Sequence, residues 1–168
     1  MIFEQQMDLL KKENKPEWTR PKFPDVSGVK QVAVDLETYD PEIKTLGGGW
    51  ATNKGFVVGV AISFEGFDGY FPVRHERGGN FPEEDVKKWL RKLFKEDPIV
   101  LCHNAVYDLG WLRRWGVDCN VTKVYDTLIA APLVDENRFS YSLNNLAKDY
   151  LGERKQGNIL DDFGKEHG

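Results

Sequence analysis

The sequence predicts an α/β domain, with a central mixed sheet (antiparallel first three strands, then parallel strands) flanked by helices. Two observations predict it. The apolar run Val32, Ala33, Val34 precedes two further β-type runs, residues 55–64 (GFVVGVAISF) and 69–73 (GYFPV), joined at hairpin length through Glu65, Gly66, Phe67 and Asp68. Beyond residue 80 the pattern changes to short apolar runs alternating with segments of helical period, the mark of parallel strands joined by helices.

The elements follow in order. Ile2, Phe3, Met7, Leu9 and Leu10 can form a short amphipathic helix over residues 1–12, after which Pro16, Pro21 and Pro24 impose an extended lead into the first strand. Gly28 and Pro41 bound that strand. LGGGW, with Gly47, Gly48 and Gly49, reads as a flexible loop; a phosphate-cradling loop would carry the Lys and Ser/Thr of a P-loop after it. Pro82 opens a helix with Glu83, Glu84 and Asp85 in its first turn, where acids meet the positive helix end. Val86, Trp89, Leu90 and Leu93 give it one apolar face, and Asp97-Pro98 ends it.

Ile99 to Cys102 is continuously apolar, as in a strand covered on both faces. A helix follows, from an Asn104 cap to Gly116. Val121 to Tyr125 is a further strand, and Asp126 caps the helix TLIAAPLVD, which Pro132 should kink or stop. Ser142 opens a last helix carrying Leu143, Leu146, Ala147, Tyr150 and Leu151, closed by Gly152. The order is β-β-β-α-β-α-β-α-α, with no internal repeat.

A chain of 168 residues, 40% hydrophobic and with five Trp, can bury a full core and is not of disordered composition. Cys102 and Cys119, without C-x-x-C spacing, exclude a disulfide scaffold and argue against a zinc site. No segment has the length and apolarity of a membrane span or signal peptide, so the chain reads as cytosolic with no membrane partner. The net charge of −4 argues against binding nucleic acid by bulk electrostatics. It leaves open an enzyme that reaches phosphate through metal ions. Lys87, Lys88, Arg91, Lys92 and Lys95 read as a solvated helix face.

The chemistry lies in the acids. Asp35 and Glu37, two apart on one strand, project to the same side, with Val34 and Leu36 opposite. Asp108 follows Asn104 by four, so the two share a face near the start of their helix. If the strand feeding that helix neighbours the first, the three carboxylates converge. Like charges at such separation force protonation unless a cation compensates. Hard divalent ions such as Mg²⁺ or Mn²⁺ do so, and two of them about 3.5–4 Å apart promote in-line attack on phosphorus. The reaction suggested is phosphodiester hydrolysis.

These residues carry a family resemblance. VDLET, then HNAVYDLGWL, then YDTLIAAPLVDENRFSYSLNNLAKDYLG resembles the 3′–5′ exonuclease (proofreading) domain of family A DNA polymerases, a ribonuclease H-like fold with an Asp-Glu-Asp-Asp metal site. The resemblance spans Val29 to Lys155, and DENRFSYSL is similar to phage and bacterial polymerases. It implies that Asp35 bridges both metals, that Glu37 completes the first-metal site and helps orient the attacking water, and that Asp108 holds the second metal. It also implies that Asn104 lies near the terminal nucleotide, and that Leu36 and the stretch from Thr38 lie where the last base is wedged. The expected substrate is a single-stranded DNA 3′ end. The expected partner is a downstream polymerase domain, and the expected location the cytoplasm of a bacterial or phage-infected cell.

On this reading residues 1–28 are an N-terminal extension, 29–155 the exonuclease domain and 156–168 a polar tail. The family's fourth acid comes from a later helix as Tyr-x-x-x-Asp or His-x-x-x-x-Asp. Tyr125, Tyr141 and Tyr150 are instead followed four residues on by Ile129, Asn145 and Arg154, and neither Asp161 nor Asp162 has a Tyr or His at the required position. The third motif is absent, so the chain reads as the front of a longer exonuclease–polymerase or a truncated product. The alternative is a catalytically deficient nucleic-acid-binding remnant; RNA processing on the same fold is a third possibility. Asp126 reads as a cap, His75 and His103 as structural or surface groups, Trp89, Trp111 and Trp115 as packing residues. Arg138 and Tyr141 are open between strand contact and simple packing.

Overall fold

The computed structural model describes residues 19–76 and 78–152, so the expected helix over 1–12 and the tail over 156–168 lie outside the described residues. Among the described residues five strands form one sheet: β1 (Gln31–Tyr39), β2 (Phe56–Phe64), β3 (Phe67–Pro72), β4 (Ile99–Cys102) and β5 (Val124–Asp126), in the spatial order β3-β2-β1-β4-β5. β1 pairs antiparallel with β2 and β2 with β3, whereas β4 runs parallel to both β1 and β5. The mixed sheet matches the expected topology.

Among the described residues six helices connect and cover it: α1 (Ile43–Leu46), α2 (Gly49–Thr52), α3 (Glu83–Lys95), α4 (Ala105–Arg114), α5 (Thr127–Val134) and α6 (Leu143–Leu151). The core lies on one side of the sheet. Val32, Val34 and Leu36 of β1, Val60 and Ile62 of β2, Phe71 of β3 and Val100 of β4 meet Val86, Leu90 and Leu93 of α3 and Trp111 and Leu112 of α4. Phe23 stacks on Phe71 with ring centroids 5.2 Å apart, and Trp89 Nε1 donates to the Pro24 carbonyl, so the extended lead closes one end of this core. Val26 within it is fully buried.

The structure differs from the sequence reading at several element ends. β1 starts at Gln31 and runs past the apolar run to Tyr39, so Asp35 and Glu37 sit well within the strand. The hairpin turn shrinks to Glu65 and Gly66, because Phe67 and Asp68 continue the ladder opposite Phe64 and Ser63 and Gly66, at φ 80°, absorbs the reversal. β5 occupies Val124–Asp126, later than expected. β4 alternates buried and part-exposed residues, so it is sealed on one face only. α5 runs through Pro132 to Val134. α6 buries Leu146 alone, leaving Leu143, Tyr150 and Leu151 exposed.

The glycine run after β1 is built, not slack. A side-chain carbon on Gly49 would lie within 2.1 Å of the Lys54 carbonyl oxygen, and one on Gly110 within 2.5 Å of the Trp50 ring. Only hydrogen fits at either place, which lets α2 lie flat on α4. The Gly49 amide donates to Asp40 at 2.8 Å. The basic side of α3 is engaged at its surface: Lys87 pairs with Glu83 and Glu84, Arg91 donates to the Gly116 carbonyl, and Lys92 pairs with Asp25. No helix among the described residues is long and apolar enough to cross a membrane.

Candidate active site

β1 outruns its parallel neighbour. Its pairing with β4 covers Gln31, Val32 and Ala33, after which the chain of β4 turns away into α4. The next amide on that edge of β1 would be left without a strand partner, a costly omission in a buried place. Asp108, in the first turn of α4, fills the gap: its Oδ1 accepts the Leu36 N–H at 3.2 Å. The wedge between two parallel strands at their carboxyl ends is where α/β sheets ordinarily place ligand sites.

Asp35 and Glu37 flank that amide and face away from the core. Across the ladder Asp35 stands opposite Ala61 and Glu37 opposite Gly59, so the surroundings on the β2 side are the smallest available. The register shifts between Glu37 and Thr38, an irregularity of the kind that re-aims side chains beside active sites. Asp108 itself is buried, with 3% of its surface exposed. Burial, and then the negative charge of Asp35, push its carboxyl up to about 7, against the partial relief of the Leu36 hydrogen bond; Asp126 and Glu37 push the same way. The Cys102 thiol nearby is pushed up to about 12 by burial and then by Asp108.

A carboxylate held that high by burial and then by neighbouring acids marks a place short of positive charge. Hard, oxygen-liganding divalent ions are the match in donor chemistry for the carboxylate oxygens of Asp35, Glu37 and Asp108. The three are coupled electrostatically but not drawn into a cage. Among the described residues no group of three or more His, Cys, Asp or Glu side chains is gathered tightly enough to hold a metal ion.

The corner that aims Asp108 is stapled from β5. Asn104 takes a left-handed backbone, φ 87°, at the sharp turn from β4 into α4, and its side chain makes no cap bond. The expected Asn104 cap is corrected here: Asp126 does that work. One Asp126 oxygen accepts the Asn104 N–H at 3.0 Å and the other the Ala105 N–H at 2.8 Å, while the first also accepts Leu128 N–H at 2.9 Å. A single carboxylate thus caps both α4 and α5, and these amides hold its pKa below the usual carboxylate value against the opposing effect of burial. His103 Nδ1 lies 2.9 Å from the Thr127 hydroxyl, which in turn donates to the Cys102 carbonyl, so the end of β4 is tied to the start of α5.

Of the expected substrate contacts, Leu36 turns its side chain into the core, 6% exposed, because strand alternation sends it to the opposite face from Asp35 and Glu37. Its amide, not its side chain, belongs to the acid cluster. The Thr38 hydroxyl lies 2.6 Å from the Tyr107 hydroxyl, which also donates to Asp40 at 3.3 Å; the network ties the end of β1 to α4. Arg138 pairs with Asp149, and Tyr141 donates to the Asp135 carbonyl. Asp161 and Asp162 lie outside the described residues.

Sequence reasoning passed over Tyr70. Its hydroxyl lies over Gly59, where a Cβ would come within 2.1 Å of it, and 2.7 Å from His75 Nε2. Burial, with the charges of Glu37 and Asp35, drives its pKa far up, which keeps the phenol protonated. The signal was present in the alternation: Tyr70 pairs with Ala61, itself opposite Asp35, so it must share the acid face.

Comparison with known proteins gives the family. The family model described as 3′–5′ exonuclease matches residues 23–163. The chain belongs to the 3′–5′ exonuclease domain family of family A DNA polymerases, with a ribonuclease H-like fold. It is 36% identical over 141 residues to a DNA-directed DNA polymerase of Pseudomonas phage M6, covering 79% of this chain and 21% of that protein. It is 31% identical over 147 residues to a DNA polymerase of Salmonella phage PMBT28, covering 87% of this chain and 21% of that one, and 28% identical over 123 residues to DNA polymerase I of Borreliella burgdorferi, covering 73% and 12%. The chain thus spans about a fifth of the length of the phage polymerases it matches. Among solved structures it shares its fold with Brucella melitensis NrnC with bound Mg²⁺ (TM-score 0.55, 20% identity, 79% of this chain and 59% of that one). It does so too with the catalytic core of RRP6 from Trypanosoma brucei (TM-score 0.55, 17% identity, 84% and 38%).

Proposed function

We propose that this chain is the part of a family A DNA polymerase that hydrolyses the 3′-terminal phosphodiester of single-stranded DNA, removing misincorporated nucleotides during replication. The observation that carries this reading is the buried Asp108 carboxylate seated on the Leu36 amide, between Asp35 and Glu37.

Asp35, Glu37 and Asp108 would hold Mg²⁺ or Mn²⁺. Two such ions, when bound, activate a water and stabilise the leaving oxygen of an in-line displacement. The chain's own residues prepare that chemistry. Asp35 and Glu37 present acceptor oxygens on one face of a central strand, with the small Ala61 opposite Asp35 and Gly59, opposite Glu37, admitting the Tyr70 hydroxyl. Asp108 is fixed by the Leu36 amide and by the corner that Asp126 caps. Asn104, on that corner, and Thr38, near the end of β1, would flank the terminal nucleotide. A polymerase domain elsewhere in the intact protein would deliver the strand end, in the cytoplasm of a bacterial or phage-infected cell.

The test is release of mononucleotides from a 3′-labelled single-stranded oligomer with Mn²⁺ or Mg²⁺, alongside the same residues in a longer protein that carries a downstream Tyr-x-x-x-Asp. The longer protein should digest the DNA far faster, and Asp35→Ala or Asp108→Ala should abolish the release. Undiminished digestion by both variants would overturn the assignment. Matched DNA and RNA oligomers separate proofreading from RNA processing. Metal-independent strand binding without hydrolysis in the longer protein would mark a binding remnant.

A further inference from the structure

The hydroxyl of Tyr70 reaches the acid face from a strand that carries no acid of the site. Tyr70 begins opposite Ala61, one ladder step from the Gly59–Glu37 pair, yet its ring leans along the sheet until the hydroxyl sits over Gly59. That lean is possible only because position 59 has no side chain: a Cβ there would overlap the phenol oxygen at 2.1 Å and its ring carbon at 2.4 Å. Directly opposite residues of a ladder stand about 4.5–5.5 Å apart at Cβ, so a hydroxyl over Gly59 stands beside the stem of Glu37.

The far side of the phenol is held. His75 Nε2 lies 2.7 Å from the Tyr70 oxygen, and the two rings meet edge to face with centroids 5.9 Å apart. His75 is in turn clamped by Asn80, whose side chain accepts the His75 N–H at 2.8 Å and donates to the His75 carbonyl at 2.7 Å. This is a chain of supports, Asn80 to His75 to Tyr70, ending at the acid face. In the tautomer with hydrogen on Nε2, His75 would donate to the phenol oxygen and the hydroxyl hydrogen would turn to the carboxylate side. Ligating carboxylates are commonly oriented by such outer hydrogen bonds.

We propose that Tyr70, admitted by Gly59 and held by His75, is a positioning residue for Glu37, and through Glu37 sets how tightly the acid site binds divalent cations. The proposal rests on the metal-dependent reading above and specifies a part of it that none of the three acids supplies.

The experiment measures Mn²⁺ affinity by calorimetry on the intact chain, with apo melting temperature recorded for every variant. Asp35→Asn reports the metal site itself and should abolish binding. Tyr70→Phe keeps the ring and loses the hydroxyl; it should melt like the wild type and bind Mn²⁺ about tenfold more weakly. Gly59→Ala, which expels the hydroxyl, and His75→Ala, which releases it, should weaken binding similarly. His75→Gln, which retains an N–H donor, should restore most of the affinity. If Tyr70→Phe and His75→Ala bind Mn²⁺ as the wild type does while Asp35→Asn does not, the positioning role is wrong and the metal site stands. If the weakening follows a fall in apo melting temperature and His75→Gln does not restore it, the role is structural and the proposal fails. If the wild type binds no Mn²⁺, or Asp35→Asn binds it unchanged, the metal-dependent reading falls and takes the proposal with it.

Discussion

Asp108 accepts the backbone N–H of Leu36 at 3.2 Å, and through that bond the first turn of α4 is seated on the strand segment that bears Asp35 and Glu37. The bond repairs a defect of topology, since β4 turns away before it can pair with this part of β1. The same bond brings a third carboxylate beside two others. Folding and chemistry therefore compete at Asp108: the amide favours its ionised form, while burial and Asp35 oppose it.

That competition has a pH signature. The folded Asp108 carboxyl is pushed up to about 7, above the ordinary value of 3.8 that the unfolded chain would show. Between these values the folded state holds a proton that the unfolded state has lost, so the group's contribution to stability falls as pH rises from about 4 to about 7. Asp108→Asn removes the contribution. In metal-free urea unfolding, the variant should gain on the wild type as pH rises through this window, by at most about 1.4 kcal/mol per pH unit, and the gap should be constant above it. A gap independent of pH would show that Asp108 is ionised throughout.

Asp126 should behave as a cap and not as a ligand. Asp126→Ala strips three backbone amides, Asn104, Ala105 and Leu128, of their acceptor. The expected cost is about 2 kcal/mol by denaturant unfolding, with Asp126→Asn losing less. Mn²⁺ affinity should fall only in step with that loss. Abolished metal binding at unchanged stability would place Asp126 among the ligands.

Trp50 reports the packing of the loop after β1. Gly110→Ala puts a methyl 2.5 Å from its ring and should lift α2 from α4, destabilising the protein by about 1–3 kcal/mol and changing tryptophan fluorescence. The obstacle is a rigid indole and not the end of a flexible side chain, so no small swing relieves the overlap. Unchanged stability would mean that α2 does not rest on α4 in solution.

Much of this was legible in the sequence because the relevant signals are local. The period-2 pattern of VAVDLET placed Asp35 and Glu37 on one face, and the spacing of Asn104 and Asp108 placed both near one helix start. The motifs identified the family, and through it the ribonuclease H-like sheet. What could not be read depends on contacts between distant segments. That Asp126 rather than Asn104 caps α4 follows from β5 lying beside β4, and residue 126 is 22 positions from 104. That Leu36 offers its amide follows from where β4 stops. Nor does an isolated glycine announce that Gly59 makes room for the phenol of a neighbouring strand. The three-glycine run looked slack for the same reason: its close neighbours, such as Lys54 and Asp40, are set by the folded loop.

The central claim, that Asp35, Glu37 and Asp108 serve one divalent cation site, is tested most directly by the rise in melting temperature on adding Mn²⁺ at pH 8, above the value of about 7 to which the Asp108 carboxyl is pushed. The wild type should gain several degrees, and Asp35→Asn, Glu37→Gln and Asp108→Asn should each lose most of that gain while remaining folded. A gain that survives all three single substitutions would contradict the account.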